Sequence, residues 1–600
     1  MATTDPTYVG QVASVTGGIV RIRLRRDMPT TLVLVEGESY RVGQIGGFFR
    51  IPMGYASLYG VCAQVGADAV PGNATEPSQA IEFDDADQGL SGYRWMTIAL
   101  FGEDTAGRFE RGVGQYPTVG DEAHFVTSAD LSVIYSIADA GSVVPIGTIA
   151  ATSGIAASLN LGRLVTRHSA IVGSTGSGKS NLVRVILEGL ASTTMRSARV
   201  LVIDPHGEYG LVAPGRVRAF AINPTGDEER LVIPFWALPF NELMPLVFGQ
   251  MNANHEAIVR DRVQELKREA AAHLADAPDP PTITADSPVP FSIRRLWFEL
   301  DDFERQTFRT VAGAKVATEI QVVGDADTHT SNVYEPYGPA SREPLKNPAA
   351  RYIGKQLEFA RSRMLDPRYA FIFDPSGGYA PDLDGRVASD LASLLAGWVG
   401  HDRPLSVLNI SDIPSDVAAD LVGLLVRIVY ETLFWADATP VSGRSQPLLV
   451  VLDEAHRFLP EGTDSAAFRT LTRIAKEGRK YGVGLMVVTQ RPGAIDGTVL
   501  SQCGTMVALR TTNPKDRSRV ASAFPDDLGG LVELLPSLRT GESLVVGEAM
   551  PVPSRVRIRH SNSPEAGSDP AVSARWTEND RPSSAYYNAA ILNWRRQRRD

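Results

Sequence analysis

Residues 170–181, AIVGSTGSGKSN, constrain this chain more than any other stretch. A short apolar run, Ser169-Ala170-Ile171-Val172, reads as a strand, a glycine-rich turn follows, and Lys179-Ser180 opens a helical pattern. Gly173 and Gly178 frame the spacing G-x-x-x-x-G-K-S. Backbone N–H groups can curl around a phosphate only where side chains do not block the approach, which is why the turn needs glycine. The helix beginning near Lys179 aims the positive end of its dipole at the same point. Gly173, Ser174, Thr175, Gly176, Ser177, Gly178, Lys179, Ser180 and Asn181 are therefore the candidate nucleotide contacts. Lys179 is placed to reach the β- and γ-phosphates and Ser180 to ligate Mg²⁺. The expected cofactors are ATP and Mg²⁺, and the expected fold class is α/β.

Six hundred residues suggest about three or four domain-sized units. No run of about 18 apolar residues is present, so no membrane span is expected. The N-terminus, MATTDPTYVG, lacks the basic start and apolar core of a signal peptide. The two cysteines, Cys62 and Cys503, are too far apart to suggest a disulfide framework and read as small buried hydrophobes. A reducing cytoplasm fits this usage. The formal charge of −10 argues against a protein that coats nucleic acid over its whole surface, while leaving room for a local basic channel. The four arginines in the last ten residues read as a solvated tail.

Residues 1–150 alternate apolar and polar positions in short runs broken by glycine, from GQVASVTGGIVRIRL to VVPIGTIAA. This predicts a small β-barrel or sandwich with an assembly or docking role, carrying a long polar loop at 65–89. Residues 151–235 hold the phosphate loop, its helix and a second strand, ARVLVIDPHGEY. Asp204 ends that strand and either faces the nucleotide or is a turn aspartate. Residues 236–385 break the strand–helix rhythm with long helical periodicity and a loop at 324–350, and read as a helical insertion. RYAFIFDPS is either a strand rejoining the core or part of that insertion. From 386 to 560 the rhythm returns, which predicts a mostly parallel sheet flanked by helices. Residues 561–600 read as an extended tail.

Three further positions supply chemistry. Asp453 and Glu454 end the apolar run LLVVL. Hydrolysing a nucleoside triphosphate needs a held Mg²⁺ and an oriented water, so Asp453 suits the metal shell and Glu454 the base. Gln490, at the end of VGLMVVT, is a neutral amide that can sense a γ-phosphate without adding charge. Two arginines are candidates for stabilising the developing charge, although a surface ion pair would explain each equally well. Arg479 follows a helix before the sensor strand. Arg167 precedes the phosphate-loop strand and so sits at the end of it far from the nucleotide, where it would serve a neighbouring subunit.

Together these segments resemble the HerA branch of the HerA/FtsK hexameric DNA-pumping ATPases. The resemblance rests on RHSAIVGSTGSGKSN, VIDPHGEY, VVLDEAHRF, IAKEGRKYGVGLMVVTQRP and ALRTTNPKDR in that order, preceded by YRVGQIGGFFRIPMGYASLYGVCAQVG, which looks like the family's HAS barrel. It implies a RecA-like P-loop ATPase core with a helical insertion and an N-terminal β-barrel. It implies that Lys179 and Ser180 contact nucleotide and Mg²⁺, that Asp453 and Glu454 are the metal-binding and catalytic acids, and that Gln490 is the sensor. It matches Arg479 with an arginine near the γ-phosphate and Arg167 with a trans-acting finger. It further implies a homo-hexamer around double-stranded DNA. The effector it implies is a separate subunit, a NurA-like or other nuclease or a sirtuin-type protein, in DNA end processing or anti-phage defence.

Two functions share this nucleotide site: a motor that drives duplex DNA through a pore, and a ring scaffold that binds ATP and organises an effector. A metabolic P-loop kinase fits the barrel and Gln490 poorly. Lys476, Arg491 and Lys515 are candidate pore cations or simply solvated charges.

Overall fold

The computed structural model describes residues 5–25, 32–35, 37–69, 92–135, 142–150, 154–338, 343–413, 415–436, 439–524, 529–564, 572–577 and 584–596. The loop expected at 65–89 is strand as far as Ala69, and the rest of it lies outside the described residues.

The N-terminal segment is an antiparallel barrel of six strands: Tyr8–Thr16, Ile19–Leu24, Phe48–Pro52, Ala56–Ala69, Gly92–Thr105 and Glu122–Phe125. Pairing of Ile19–Leu24 with Gly92–Thr105 closes it, and Arg108–Arg111 extends it at one side. Closure removes the unpaired edges that short glycine-broken strands would otherwise expose. Gly17, at φ +57°, makes the first hairpin turn, as the Gly-Gly pair predicts. Alternate side chains such as Val9, Val12, Val20, Ile22, Met96 and Ile98 fill the interior. The buried Cys62 lies among them, and both cysteines are free.

Most of the remaining strands form one twelve-stranded sheet. Its parallel part runs in the order Thr505–Leu509, Ser169–Val172, Val483–Thr489, Leu448–Leu452, Arg199–Asp204, Leu405–Asn409, Val217–Ala221, Glu229–Arg230. The central strands are buried along their whole length, as continuous apolar runs require when helices cover both faces. Four antiparallel strands complete the other side: Glu542–Gly547, Ser554–Ile558, Val143–Ile149 and Ala156–Asn160.

That last pairing moves a boundary. VVPIGTI, expected in the barrel, hydrogen-bonds to Ser554–Ile558, so the core sheet begins before residue 150. Its alternating burial is what any one-sided antiparallel strand shows, and periodicity does not say which sheet the strand joins. The barrel is fastened to this side of the sheet. Arg111 donates to the carbonyls of Pro551 at 2.6 Å, Gly547 at 2.7 Å and Met550, and the Tyr135 and Ser554 hydroxyls meet at 2.6 Å.

The long excursion leaves the sheet after its edge strand Glu229–Arg230, which pairs with Val217–Ala221, and rejoins it at Leu405–Asn409, on the other side of Val217–Ala221. It contains the helices Phe240–Phe248, Ala253–Ala271, Ile293–Arg305, Gly354–Leu365 and Leu391–Val399. It is not purely helical: Thr307–Val311 pairs with Ala314–Ala317 and Leu345–Lys346, and Ile320–Val322 pairs with Val333–Tyr334. These last pairs put strand structure inside the loop expected at 324–350, of which 339–342 lie outside the described residues. RYAFIF is helical, in Pro367–Tyr369 and Ala370–Phe373. The tail is not uniformly extended, for Val572–Thr577 and Ser584–Arg596 are helices. Among the described residues no helix is long and apolar enough to cross a membrane.

Candidate functional site

All the parallel strands point the same way, so their C-terminal ends share one edge, where ligands bind in sheets of this kind. Val172 delivers the phosphate loop to that edge, Leu452 delivers Asp453 and Glu454, and Thr489 delivers Gln490.

The loop is shaped by close approaches. Gly176 and Gly178 adopt φ +70° and +102°, the left-handed region that glycine enters without strain. A Cβ on Gly173 would lie 2.7 Å from Ser177 Oγ and 2.8 Å from Leu509 Cβ. Ser174 is tied down from the neighbouring strand, its N–H and Oγ both donating to the Arg510 carbonyl at 2.9 Å. Gly541 N–H donates to the Ser177 carbonyl at 3.0 Å. Thr175 Oγ1 donates to Gln490 Oε1 at 2.6 Å, which joins the loop to the sensor position. Lys179–Leu190 then forms the helix expected after the loop.

The Asn181 side chain has a structural role. Its Nδ2 donates to the Arg559 carbonyl at 2.8 Å and its Oδ1 accepts from Ser561 N–H at 2.9 Å. The side chain therefore holds the segment after the last strand. The same segment wraps the carboxylate of Glu188, which accepts from the N–H groups of Asn562 and Ser563 and the hydroxyls of Ser561 and Ser563 at 2.6–2.9 Å and pairs with Arg559 at 2.8 Å. Burial pushes the Glu188 carboxyl up, but these partners hold it far below its ordinary value, at about 2.

Asp204 is a turn aspartate. It is fully buried and accepts from the N–H groups of His206, Gly207 and Tyr209 at 2.8–3.2 Å. That turn presents Tyr209, whose hydroxyl donates to Asp453 Oδ2 at 3.2 Å, while Glu454 N–H donates to Oδ1 at 2.9 Å. Burial pushes the Asp453 carboxyl up to about 7, the Glu454 N–H bond works against this, and the charges of Glu454, Asp204 and Glu208 add to it. A divalent cation would relieve this crowding of acids. Burial pulls the Lys179 ammonium down, and the carboxylates of Glu454, Asp453 and Glu208 draw it back up. Lys179 Nζ donates only to the Ser174 carbonyl, at 3.2 Å, among the described contacts. Ser177 Oγ is buried with no hydrogen-bond partner. A curled, glycine-lined backbone, a lysine without an ion pair and an under-neutralised buried aspartate fit a magnesium-bound triphosphate.

Glu454 is in the left-handed region at φ +47°, which is uncommon for a residue with a Cβ. Burial raises its carboxyl, but His456, Lys179 and His206 outweigh burial and hold it below its ordinary value. His456 and Tyr209 are the site residues that motif spacing missed. Both stand a few residues past a motif acid, at a strand end where alternation no longer applies.

The two arginines lie elsewhere. Arg479 is exposed in the 3-10 turn Gly478–Tyr481, ahead of Val483–Thr489. Seven residues of strand span roughly 20 Å, so it stands at the opposite edge from its own phosphate loop. Strand direction thereby separates Arg479 from the phosphate loop of its own chain. Arg167 is at that same edge, its Nε 3.4 Å from Glu548 Oε2, which Arg163 Nη1 also meets at 2.7 Å. Here the backbones pack so closely that a Cβ on Gly484 would lie 1.6 Å from the Val165 carbonyl oxygen. His168 Nδ1 accepts from Leu485 N–H at 3.0 Å, and burial pushes its ring down to about 4, so it is neutral. Lys476, Arg491 and Lys515 are exposed.

The chain is similar to known proteins. The model of the helicase HerA central domain matches residues 144–429, and that of the helicase HerA-like C-terminal domain matches 428–585. The DNA double-strand break repair helicase HerA of Sulfolobus acidocaldarius is 26% identical over 461 residues, 77% of each chain. That of Sulfurisphaera tokodaii is 27% identical over 479 residues, 80% of each. Among solved structures, VirB4 of Thermoanaerobacter pseudethanolicus superposes with a TM-score of 0.45 at 15% identity, covering 71% of this chain and 99% of that one. The plasmid coupling protein TrwB in complex with ADP and Mg²⁺ gives 0.41 at 14%, covering 74% and 94%.

Proposed function

Because the chain belongs to the HerA helicase family and is an ATPase of that kind, we propose that it works as a ring of six copies that drives double-stranded DNA through its centre and passes it to a separate effector subunit. One observation carries this reading. Lys179, Asp453, Glu454 and Gln490 are delivered to one edge of the sheet, while Arg167 and Arg479 are delivered to the other. A site that needs both sets is completed when the arginine edge of one copy faces the phosphate loop of the next.

Within that site the loop N–H groups and Lys179 hold the β- and γ-phosphates. Ser180 and Asp453 would hold Mg²⁺, which when bound neutralises charge on the phosphate oxygens. Glu454 takes the proton of the attacking water, and Gln490 orients that water or reads the γ-phosphate. Arg167 and Arg479 of the neighbouring copy stabilise the charge that develops as the terminal phosphoryl leaves. Lys476, Arg491 and Lys515 are candidates for tracking DNA phosphates, an interaction that weakens as salt rises. The barrel is a surface on which an effector could dock, whether a nuclease or a sirtuin-type protein, in end processing or in defence.

The test is DNA-stimulated ATP hydrolysis by the purified protein, read together with displacement of a triplex-forming strand. Hydrolysis accompanied by displacement is expected. Hydrolysis with no displacement, with or without the effector, would overturn the motor and leave an ATP-binding scaffold.

A further inference from the structure

His456 lies between the catalytic acid and the sensor strand. Its Nδ1 is 3.1 Å from Glu454 Oε2 and 3.2 Å from Thr489 Oγ1. Glu454 Oε2 is buried and has no hydrogen-bond partner among the described residues, so its 3.1 Å approach to His456 Nδ1 is a contact at ion-pair distance and not an aligned hydrogen bond. Thr489 is fully buried, and its Oγ1 also accepts from Arg491 N–H at 3.0 Å. The next residue, Gln490, accepts from Thr175 of the phosphate loop. A polar path therefore runs from the phosphate loop, through the end of the sensor strand, to His456, whose Nδ1 stands within ion-pair distance of the Glu454 carboxylate.

The chemistry sets the tautomer. A carboxylate only accepts, so a nitrogen 3.1 Å from it carries a proton; that Nδ1–H is directed to Thr489 Oγ1 and attracts the Glu454 carboxylate electrostatically. A ring hydrogen-bonded to Thr489 and within ion-pair distance of Glu454 also limits where that carboxylate can swing. The need is real, because the left-handed backbone of Glu454 leaves its direction unsupported by strand or helix. We propose that His456 is a positioning residue for hydrolysis: anchored on Thr489, it holds the Glu454 carboxylate in line for the attacking water and ties that orientation to the strand end carrying Gln490. This rests on the reading of Glu454 as the catalytic base.

The experiment uses the full chain and two measurements, single-turnover ATP hydrolysis and affinity for a fluorescent ATP analogue, with Glu454→Gln as reference. His456→Leu is expected to slow hydrolysis about 10²-fold, the usual effect of a misplaced catalytic group, with analogue affinity within about twofold of the parent. His456→Asn presents an N–H where Nδ1 stood and is expected to recover most of the rate. Thr489→Val is expected to slow hydrolysis less, and to add little once His456 is already Leu, since both changes cut the same path. Should His456→Leu not fold, His456→Asn and Thr489→Val carry the test between them. Full hydrolysis in His456→Leu beside an inactive Glu454→Gln overturns the inference alone. An Asn variant as slow as the Leu variant, or a loss confined to nucleotide affinity, overturns it too. A Glu454→Gln protein that hydrolyses normally overturns the reading of Glu454 and the inference with it.

Discussion

The two edges of the central sheet are built to different rules. At the C-terminal edge the polar groups are buried and under-neutralised: Asp453 is pushed up by its surroundings, Lys179 has no ion pair among the described contacts, and Ser177 Oγ lacks a partner. At the N-terminal edge the charges are paired or solvated: Arg163 and Arg167 share Glu548, Arg479 is exposed, and His168 is neutral in a packed backbone seam. At one edge a single buried lysine faces several acids, and the other displays paired or solvated arginines. Parallel strands running in one direction cannot bring their two edges together, which is why the proposed function shares chemistry needing both sets between copies.

The largest effect should come from the arginine edge. Removing a trans-acting arginine typically costs about 10³–10⁵-fold in hydrolysis, so Arg167→Ala should be nearly inactive while still binding nucleotide. Mixing it with Glu454→Gln should restore part of the activity, because some interfaces then pair a sound loop with a sound arginine. Mixtures that stay inactive at every ratio would break the division between edges. Arg479→Ala tested in the same mixtures shows whether both arginines act across the interface.

Glu454→Gln alone is the next largest. Loss of a general base typically costs about 10²–10⁴-fold, and binding of the ATP analogue should persist. If analogue binding disappears instead, the C-terminal edge depends on Glu454 for its architecture and not for proton transfer. A smaller change is expected from Glu548→Gln, which weakens the anchor of Arg167 without removing the guanidinium. Hydrolysis should fall about tenfold, with nucleotide affinity and melting temperature little changed, as partly exposed ion pairs contribute little to stability. A wild-type rate would show that Arg167 needs no anchor.

The smallest effect concerns the strap on the phosphate-loop helix. The folded Glu188 carboxyl sits near 2, below its ordinary value of 4.5, so its stabilisation is fully present above about pH 4.5 and is lost as pH falls toward 2. Hydrogen exchange of residues 559–564 should therefore quicken over that window, relative to the rest of the sheet. Glu188→Gln should quicken it at neutral pH and remove the dependence. Exchange that ignores both pH and the substitution would mean that Asn181 and Arg184, whose guanidinium donates to the Ser563 and Pro564 carbonyls, hold the strap unaided.

Much of the site was legible in the residues alone, because its demands are local. A turn that must cradle phosphate needs glycine at Gly176 and Gly178, and a buried run such as LLVVL ending in Asp453-Glu454 places acids at a strand end whatever its neighbours are. Strand direction, and so the remoteness of Arg167 from its own loop, also follows from chain order. What periodicity could not decide was partnership. Val143–Ile149 alternates like a barrel strand and joins the core, since alternation records one buried face and not which sheet supplies it. Asn181 sits in the motif and spends its amide on Arg559 and Ser561, and His456 and Tyr209 find the acids through contacts made only on folding. The chain itself determined which groups arrive at each edge. Tertiary structure decided which of them touch, because the hydrogen bonds that settle it join residues brought together by the sheet and not by sequence.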